Sequence, residues 1–227
     1  MSYCKEWDAT YQAKRHVSRW PWSDLVSLVM RYGHPDNGFR RVLELGCGVG
    51  ANISLFADLG ADYHSVEGSP TAVAFVHERF PELREKVVVG DYTRRIPFGG
   101  QFDLIVDRSS LTCNSTASIA SGTDLLKPLL RDAGRFIAVD WFSVDHFEFG
   151  LGREAADEYT RKGFATGGFA GTGNVHFFDR QHLLSFFDGY RVLNLQHRIV
   201  VEESGDDAPR RMATWNMVAQ RDMRSQE

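Results

Sequence analysis

A mostly parallel α/β fold is what this 227-residue sequence predicts, and three observations carry that reading. Short apolar runs recur through residues 42–141. Helix-forming stretches separate them. One run, RVLELGCGVGAN (41–52), passes from a strand into three alternating glycines. Continuous apolar strands between helices imply a parallel sheet covered on both faces. A hydrophobic content of 43% with 25% charged residues is ordinary for a globular protein. A chain of this size buries enough surface to need no staples.

The elements follow in order. Tyr3, Trp7 and Tyr11 stand four apart within residues 2–16, an aromatic stripe on one helical face. Pro21 sits where a first helical turn tolerates it, and Leu25, Val26, Val29 and Met30 follow at helical spacing. Gly33 to Gly38 breaks that helix. Residues 42–45 predict a strand and 51–59 a helix, then 63–67 a strand and 71–80 a helix. Residues 86–90 and 102–107 predict two more strands, 123–131 a helix and 135–141 a fifth strand. Beyond Trp141, residues 153–162 are charged and predict a helix. Gly163, Gly167, Gly168, Gly171 and Gly173 form a loop, and residues 181–187 a short helix. Runs 190–203 and 211–221, separated by the acidic turn 204–209, predict an antiparallel hairpin at the sheet edge. No repeat or linker splits the chain. One domain therefore spans 1–227, with 1–38 as a helical cap and 143–178 as a substrate-side insertion or lid.

Composition narrows the function. A net charge of −4 implies no long basic face, which argues against nucleic acid and acidic membranes as partners. No 18-residue apolar run predicts a membrane helix, and the polar start MSYCKEWDATYQAKRH is not a signal peptide. Cys4, Cys47 and Cys113 are odd in number and far apart, which fits reduced thiols in a cytoplasm. The eight histidines show no ligand spacing, so no metal is expected. A monomer and a homodimer both remain open.

The glycine loop has two readings. Glycines let the backbone turn sharply and approach a ligand closely. Gly46-x-Gly48-x-x-Ala51 satisfies the dinucleotide fingerprint, and Glu67, 21 positions after Gly46 (67 − 46), stands where a ribose-binding acid belongs. Taken alone, the motif fits a nicotinamide cofactor as well as any other. Three further features break the tie. Glu44, two residues before the first glycine, suits a cationic or amine-bearing ligand better than a pyrophosphate. Gly90-Asp91-Tyr92 ends the third strand, where Asp91 can accept from an adenine amine and Tyr92 can cover the ring. The closing hairpin is foreign to a dinucleotide domain, and few residues remain for a separate substrate domain.

With these motifs in order, the sequence resembles the class I S-adenosylmethionine-dependent methyltransferases of bacterial small-molecule type. ELGCGVG resembles their glycine loop, Glu67 their acid after the second strand, Gly90-Asp91-Tyr92 their adenine turn, and FDLIVDRSSL their fourth strand and loop. The likeness covers roughly residues 40–220. It implies a Rossmann-like seven-stranded sheet whose strand seven is antiparallel, with S-adenosylmethionine as cofactor and S-adenosylhomocysteine as product. It implies that Glu44 and the Gly46–Gly50 backbone (Cys47 and Gly48 included) hold the methionine moiety, with Asn52 and Gly68 also among the cofactor-binding residues. Glu67 would bind both ribose hydroxyls, for which a carboxylate has paired acceptors. Asp91 and Tyr92 would hold adenine. Asp107 and Arg108 would face the methyl group and acceptor, the carboxyl end of a strand being where open α/β sheets bind ligands. For Cys47 the backbone matters rather than the thiol.

The acceptor is less legible. Methyl transfer needs alignment, plus a base if the acceptor is a hydroxyl or ammonium. The segment DRSSLTCN lacks the Pro-Pro-aromatic motif of nucleic-acid amino-methyltransferases and the paired glutamates of protein-arginine enzymes. Residues 11–22, 107–114 and the insertion supply aromatic, His, Arg and Asn side chains. That inventory suits a polar small molecule such as a sugar or amino-sugar. His16, His146 and His176 are candidate bases because histidine titrates near neutral pH, although any single one is more often structural. Two alternatives stand beside this reading: a module that binds S-adenosylmethionine without transferring methyl, and a NAD-dependent oxidoreductase.

Overall fold

The computed structural model describes residues 5–203 and 208–222. Seven strands form one sheet: β1 (Arg41–Leu45), β2 (Asp62–Glu67), β3 (Val87–Val89), β4 (Phe102–Arg108), β5 (Leu130–Phe142), β9 (Tyr190–Glu202) and β10 (Arg210–Arg221). Their order is β3-β2-β1-β4-β5-β10-β9. The first five are mutually parallel, β10 is antiparallel to both β5 and β9, and β9 therefore runs with the first five. The expected hairpin forms; Ser204–Asp207 of its turn, like Tyr3 and Cys4, lie outside the described residues.

The apolar strands are continuous because neighbouring residues point to opposite faces and both faces are covered. Val42, Leu104 and Ile137 pack with Leu25 and Val29 of α2 (Ser23–Tyr32), Phe56 of α3 (Ile53–Asp58) and Val76 of α4 (Pro70–Arg79). Their neighbours Leu43, Ile105 and Ala138 pack with Ile119 of α5 (Thr116–Leu126) and Leu183 of α6 (Arg180–Ser185). Ahead of all these lies α1 (Lys5–Gln12). Among the described residues no helix is long and apolar enough to cross a membrane.

Two expected elements are corrected. The helix predicted over 123–131 begins at Thr116 and ends at Leu126, and Arg131 already lies in β5. The stretch TASIASGT holds weak helix formers, but the Ser115 hydroxyl caps it by accepting from Ser118 N, and Pro128 in the following 3-10 turn ends it. The helix predicted over 153–162 is instead the pair β6 (Arg153–Glu154) and β7 (Thr160–Lys162), joined by β8 (Val175–His176) into a second, antiparallel sheet. Asp157 makes the turn, accepting from Tyr159 N at 3.1 Å, Thr160 Oγ1 at 2.8 Å and, across the fold, Thr116 N at 2.9 Å. Phe164, Phe169, Val175 and Phe177 give this piece its own small core. Charge periodicity along 153–162 is compatible with either form; the long-range anchor decides.

A candidate cofactor and acceptor cavity

A cavity of about 490 Å³ opens at the carboxyl ends of β1, β2 and β4, within the range of small-molecule sites. The glycine loop forms one wall. Gly46, Gly48 and Gly50 all have positive φ, at 62°, 54° and 80°. A Cβ on Gly46 would stand 2.5 Å from Ser110 Cβ, and one on Gly48 would stand 2.8 Å from the Tyr11 hydroxyl. The glycines therefore serve the backbone bend and the close approach together.

Three carboxylates line this end: Glu44, Glu67 and Asp91. Glu67 accepts from Gly48 N and Ser69 N, each at 2.8 Å. Burial pushes its carboxyl up, opposed by those backbone donors and by Gly68 N. Glu44 accepts from Asn52 Nδ2 at 2.7 Å and the Tyr63 hydroxyl at 2.6 Å. Burial dominates there and pushes it up to about 7, against the pull of those two donors. Asp91 accepts from Thr93 N and Oγ1, and Arg94 lies 3.5 Å away. Tyr92 lines the cavity and donates from its hydroxyl to Ser110 O at 2.8 Å.

This donor set discriminates between ligands. A pyrophosphate would need the loop's N–H groups. Gly46 N, Gly48 N and Gly50 N already donate to Val66 O, Glu67 and Cys47 O. It would also face three carboxylates. A sulfonium with an ammonium, a ribose diol and an adenine amine would find acceptors at each point. The residues present fit S-adenosylmethionine and do not fit NAD.

Most residues expected to hold that cofactor line this wall: Glu44, Gly46, Cys47, Gly48, Asn52, Glu67, Gly68, Asp91 and Tyr92. Gly50 stands behind it, where a Cβ would come within 2.7 Å of Ile53 Cδ1 and 3.1 Å of Val76 Cγ2. Asn52 has an internal task, bridging Glu44 to Trp22 N at 3.2 Å. Burial pushes the Cys47 thiol up, with Glu67 and Glu44 nearby, which disfavours the thiolate.

The acceptor expectations need correction. Asp107 is 0% exposed and does not line the cavity. Its carboxylate accepts from Ser110 Oγ, Leu111 N at 3.0 Å and Trp141 Nε1 at 2.6 Å, and burial pushes it up to about 6. It caps the turn after β4 rather than facing a reacting atom. His176 is likewise 0% exposed, held between Thr160 Oγ1 and His182 Nε2, each at 2.9 Å. Burial, and then His182, push it below its usual range, and it does not line the cavity. His146 accepts from Glu148 N and burial lowers it to about 4; it too is structural.

Arg108 and His16 do reach the cavity. Arg108 is clamped: Nε and Nη2 each lie 3.1 Å from Asp140 Oδ2, and the guanidinium stacks 3.7 Å above the Trp22 ring. Ser109 and Asp140, at the ends of β4 and β5, both have φ of 55°, which costs about 1–2 kcal/mol each for a residue with a side chain. Ser109 Oγ bonded to Asp140 O at 2.7 Å, and Asn216 Oδ1 accepting from Asp140 N at 2.9 Å, hold the pair. Backbone strain of this kind gathers at functional sites. Sequence reasoning missed Asp140 and Asn216; an acid inside the apolar run RFIAVDW was the available signal for the first.

Helix α1 lies across the mouth. Asp8 Oδ1 accepts from Ser69 Oγ at 2.5 Å and Thr71 N at 3.1 Å. Burial alone would raise the Asp8 carboxyl; those bonds outweigh it and hold it low. Trp7 Nε1 donates to Cys113 Sγ at 3.2 Å, and Trp7 meets the edge of His16. Opposite, Phe142, Phe169, Thr172 and Asn174 line the wall on the insertion side. Buried Glu148 sits beneath the loop, accepting from Phe169 N, and a side chain on Gly167 (φ 86°) would collide with it.

Residues 42–134 match a family model described as a methyltransferase domain. No curated protein matches the chain in sequence. Several solved structures share the fold. A S-adenosylmethionine-dependent methyltransferase from Methanosarcina mazei superposes with a TM-score of 0.68 at 13% identity, over 89% of this chain and 99% of that one. CalS10 from Micromonospora echinaspora, an amino pentose methyltransferase solved with S-adenosylmethionine, gives 0.61 at 20% identity, over 96% and 98%. The N-methyltransferase NodS from Bradyrhizobium japonicum, solved with S-adenosylhomocysteine, gives 0.57 at 12%, over 87% and 86%.

Proposed function

We propose that this chain is a class I S-adenosylmethionine-dependent methyltransferase, a reading that its fold and the methyltransferase-domain match over residues 42–134 support, and that it methylates an oxygen or nitrogen of a polar small molecule. The observation that carries this reading is the trio of carboxylates around a glycine loop whose Gly48 N–H is committed to Glu67. Bound S-adenosylmethionine supplies an activated methyl group on a sulfonium. The chain's own contribution is alignment and the exclusion of water. Glu67 orients the ribose and Asp91 the adenine. Glu44 offers negative charge to the methionine ammonium, and Tyr92 covers the ring.

On the acceptor side, Arg108 is the fixed cation, and Trp22, Phe142 and Phe169 are the apolar walls. An acceptor with a ring for the aromatics and polar groups for Arg108, Asn174 and Thr172 fits. That description includes sugars and amino-sugars, and the shared fold of the amino pentose methyltransferase CalS10 supports it. His16 is the one candidate base of the three that touches the cavity. Helix α1 and the 163–174 loop act as the two lids, gating entry as such segments do elsewhere.

Calorimetry tests the cofactor half. S-adenosylhomocysteine is expected to bind in the micromolar range and NAD not at all; the reverse would return the loop to the dehydrogenase reading. Turnover with sugar or amino-sugar acceptors separates an enzyme from a binding module. Once an acceptor is found, Arg108→Ala is expected to raise its KM at least tenfold while leaving S-adenosylhomocysteine affinity within about twofold. An unchanged KM would remove Arg108 from acceptor binding.

A pH dependence follows from Glu44. Its folded value, about 7, lies above the ordinary one, so this group stabilises the protein most below about pH 4.5, and the contribution is lost as pH rises through 7. Ligand binding runs the other way. An ammonium beside Glu44 favours the ionised form, so binding expels a proton. S-adenosylhomocysteine affinity is expected to climb from pH 5.5 toward 7.5, approaching tenfold per unit at the acid end, and Glu44→Gln is expected to flatten the climb. A wild-type profile already flat over this range would contradict the assignment.

A further inference from the structure

At the opposite, amino-terminal edge of the sheet, a second concavity is lined by four arginines. Arg31 comes from the last turn of α2, Arg131 and Arg135 from the start of β5, and Arg191 from the start of β9; Phe39 and Leu193 give it an apolar floor. Among the described residues, one carboxylate pairs with the four: Asp103, 2.8 Å from Arg131 Nε. That same side chain already accepts from Arg40 N and Arg41 N. Arg135 stacks 4.6 Å from the Phe39 ring and donates through Nη1 to Tyr32 O, while its Nε is buried without a hydrogen-bond partner. Arg191 Nη2 donates to Gln220 Oε1 at 2.6 Å. Burial, and then the charge of Arg191, hold Arg135 below its usual range.

Capping explains part of this. Cations suit the carboxyl end of α2, where Arg31 lies and Arg135 meets Tyr32 O. It does not explain why Arg191 is placed to repel Arg135, nor why a chain of net charge −4 gathers four guanidinium groups against one carboxylate. Guanidinium forks match phosphoryl oxygens in pairs, and a half-apolar floor accommodates the organic part of a phosphate ester. We infer that this concavity binds a small phosphate-bearing anion at a site separate from the methyl-transfer cavity.

Pyrophosphate is the probe, titrated calorimetrically into wild-type protein presaturated with S-adenosylhomocysteine at low salt. One saturable equivalent is expected. Arg191→Gln, an exposed change, and Arg135→Gln are each expected to weaken it at least tenfold, while Arg84→Gln, an exposed arginine outside the concavity, leaves it within twofold. Unchanged S-adenosylhomocysteine binding in each variant shows that it folds. The inference is overturned if pyrophosphate does not saturate, if Arg191→Gln binds it like wild type, if Arg84→Gln weakens it equally, or if Arg108→Ala is the change that abolishes it.

Discussion

Replacing Glu67 with alanine is expected to weaken S-adenosylhomocysteine binding about 10- to 150-fold, because a hydrogen bond to a charged group contributes about 1.5–3 kcal/mol. The structure moves the expectation toward the upper end. Glu67 faces the cavity and also holds Gly48 N and Ser69 N, so the substitution removes the ribose acceptor and frees the loop at once. Glu67→Gln separates the two effects. It keeps the volume and one acceptor oxygen, but it turns an amide N–H toward a backbone donor. An intermediate loss is therefore expected. Calorimetry on both variants decides: wild-type affinity in Glu67→Ala would end the assignment of Glu67 to the cofactor.

The second large effect falls on stability. Asp107→Ala leaves Leu111 N and Trp141 Nε1 without their acceptor in a fully buried place, while the Ser110 hydroxyl can turn to Leu45 O, 2.6 Å away. Each orphaned donor costs about 1–3 kcal/mol, with partial relaxation between neighbours. A total of about 2–5 kcal/mol is expected, which lowers Tm by roughly 10 °C in a domain of this size. The loss should propagate. Ser110 abuts Gly46, so weakened S-adenosylhomocysteine binding accompanies the lower Tm. A residue that worked only on the acceptor would show the opposite pattern, with Tm unchanged and kcat lost. That pattern in thermal and kinetic measurements would restore the original reading of Asp107.

The cofactor side was legible because each of its parts is local. A glycine with positive φ, an acid at a strand end and an Asp in the next turn announce themselves by type and spacing. Gly46, Gly48, Glu67, Asp91 and Tyr92 all line the cavity where the motifs place them. The acceptor side was not, because side chains of the same type have opposite fates there. Asp107 and Arg108 are adjacent in sequence on β4, where successive side chains point to opposite faces. One is sealed under Trp141 and the other opens to the cavity. His16 and His176 were indistinguishable as candidates; only the packing of β7, β8 and α6 buries His176 against His182.

By itself, then, the sequence determined the layered α/β fold, the closing hairpin and the gathering of the glycine loop, Glu44, Glu67 and Asp91 at one cavity. Those depend on short-range periodicity and on backbone conformations that few residue types adopt. Tertiary structure alone decided that 153–162 would be a hairpin, that α5 would start at Ser115's cap, and that Asp140, 32 residues from Arg108, would clamp it. These outcomes rest on contacts between segments far apart in the chain. An Asp157 bonded to Thr116, or a guanidinium held between Asp140 and Trp22, leaves no trace in the spacing of its neighbours.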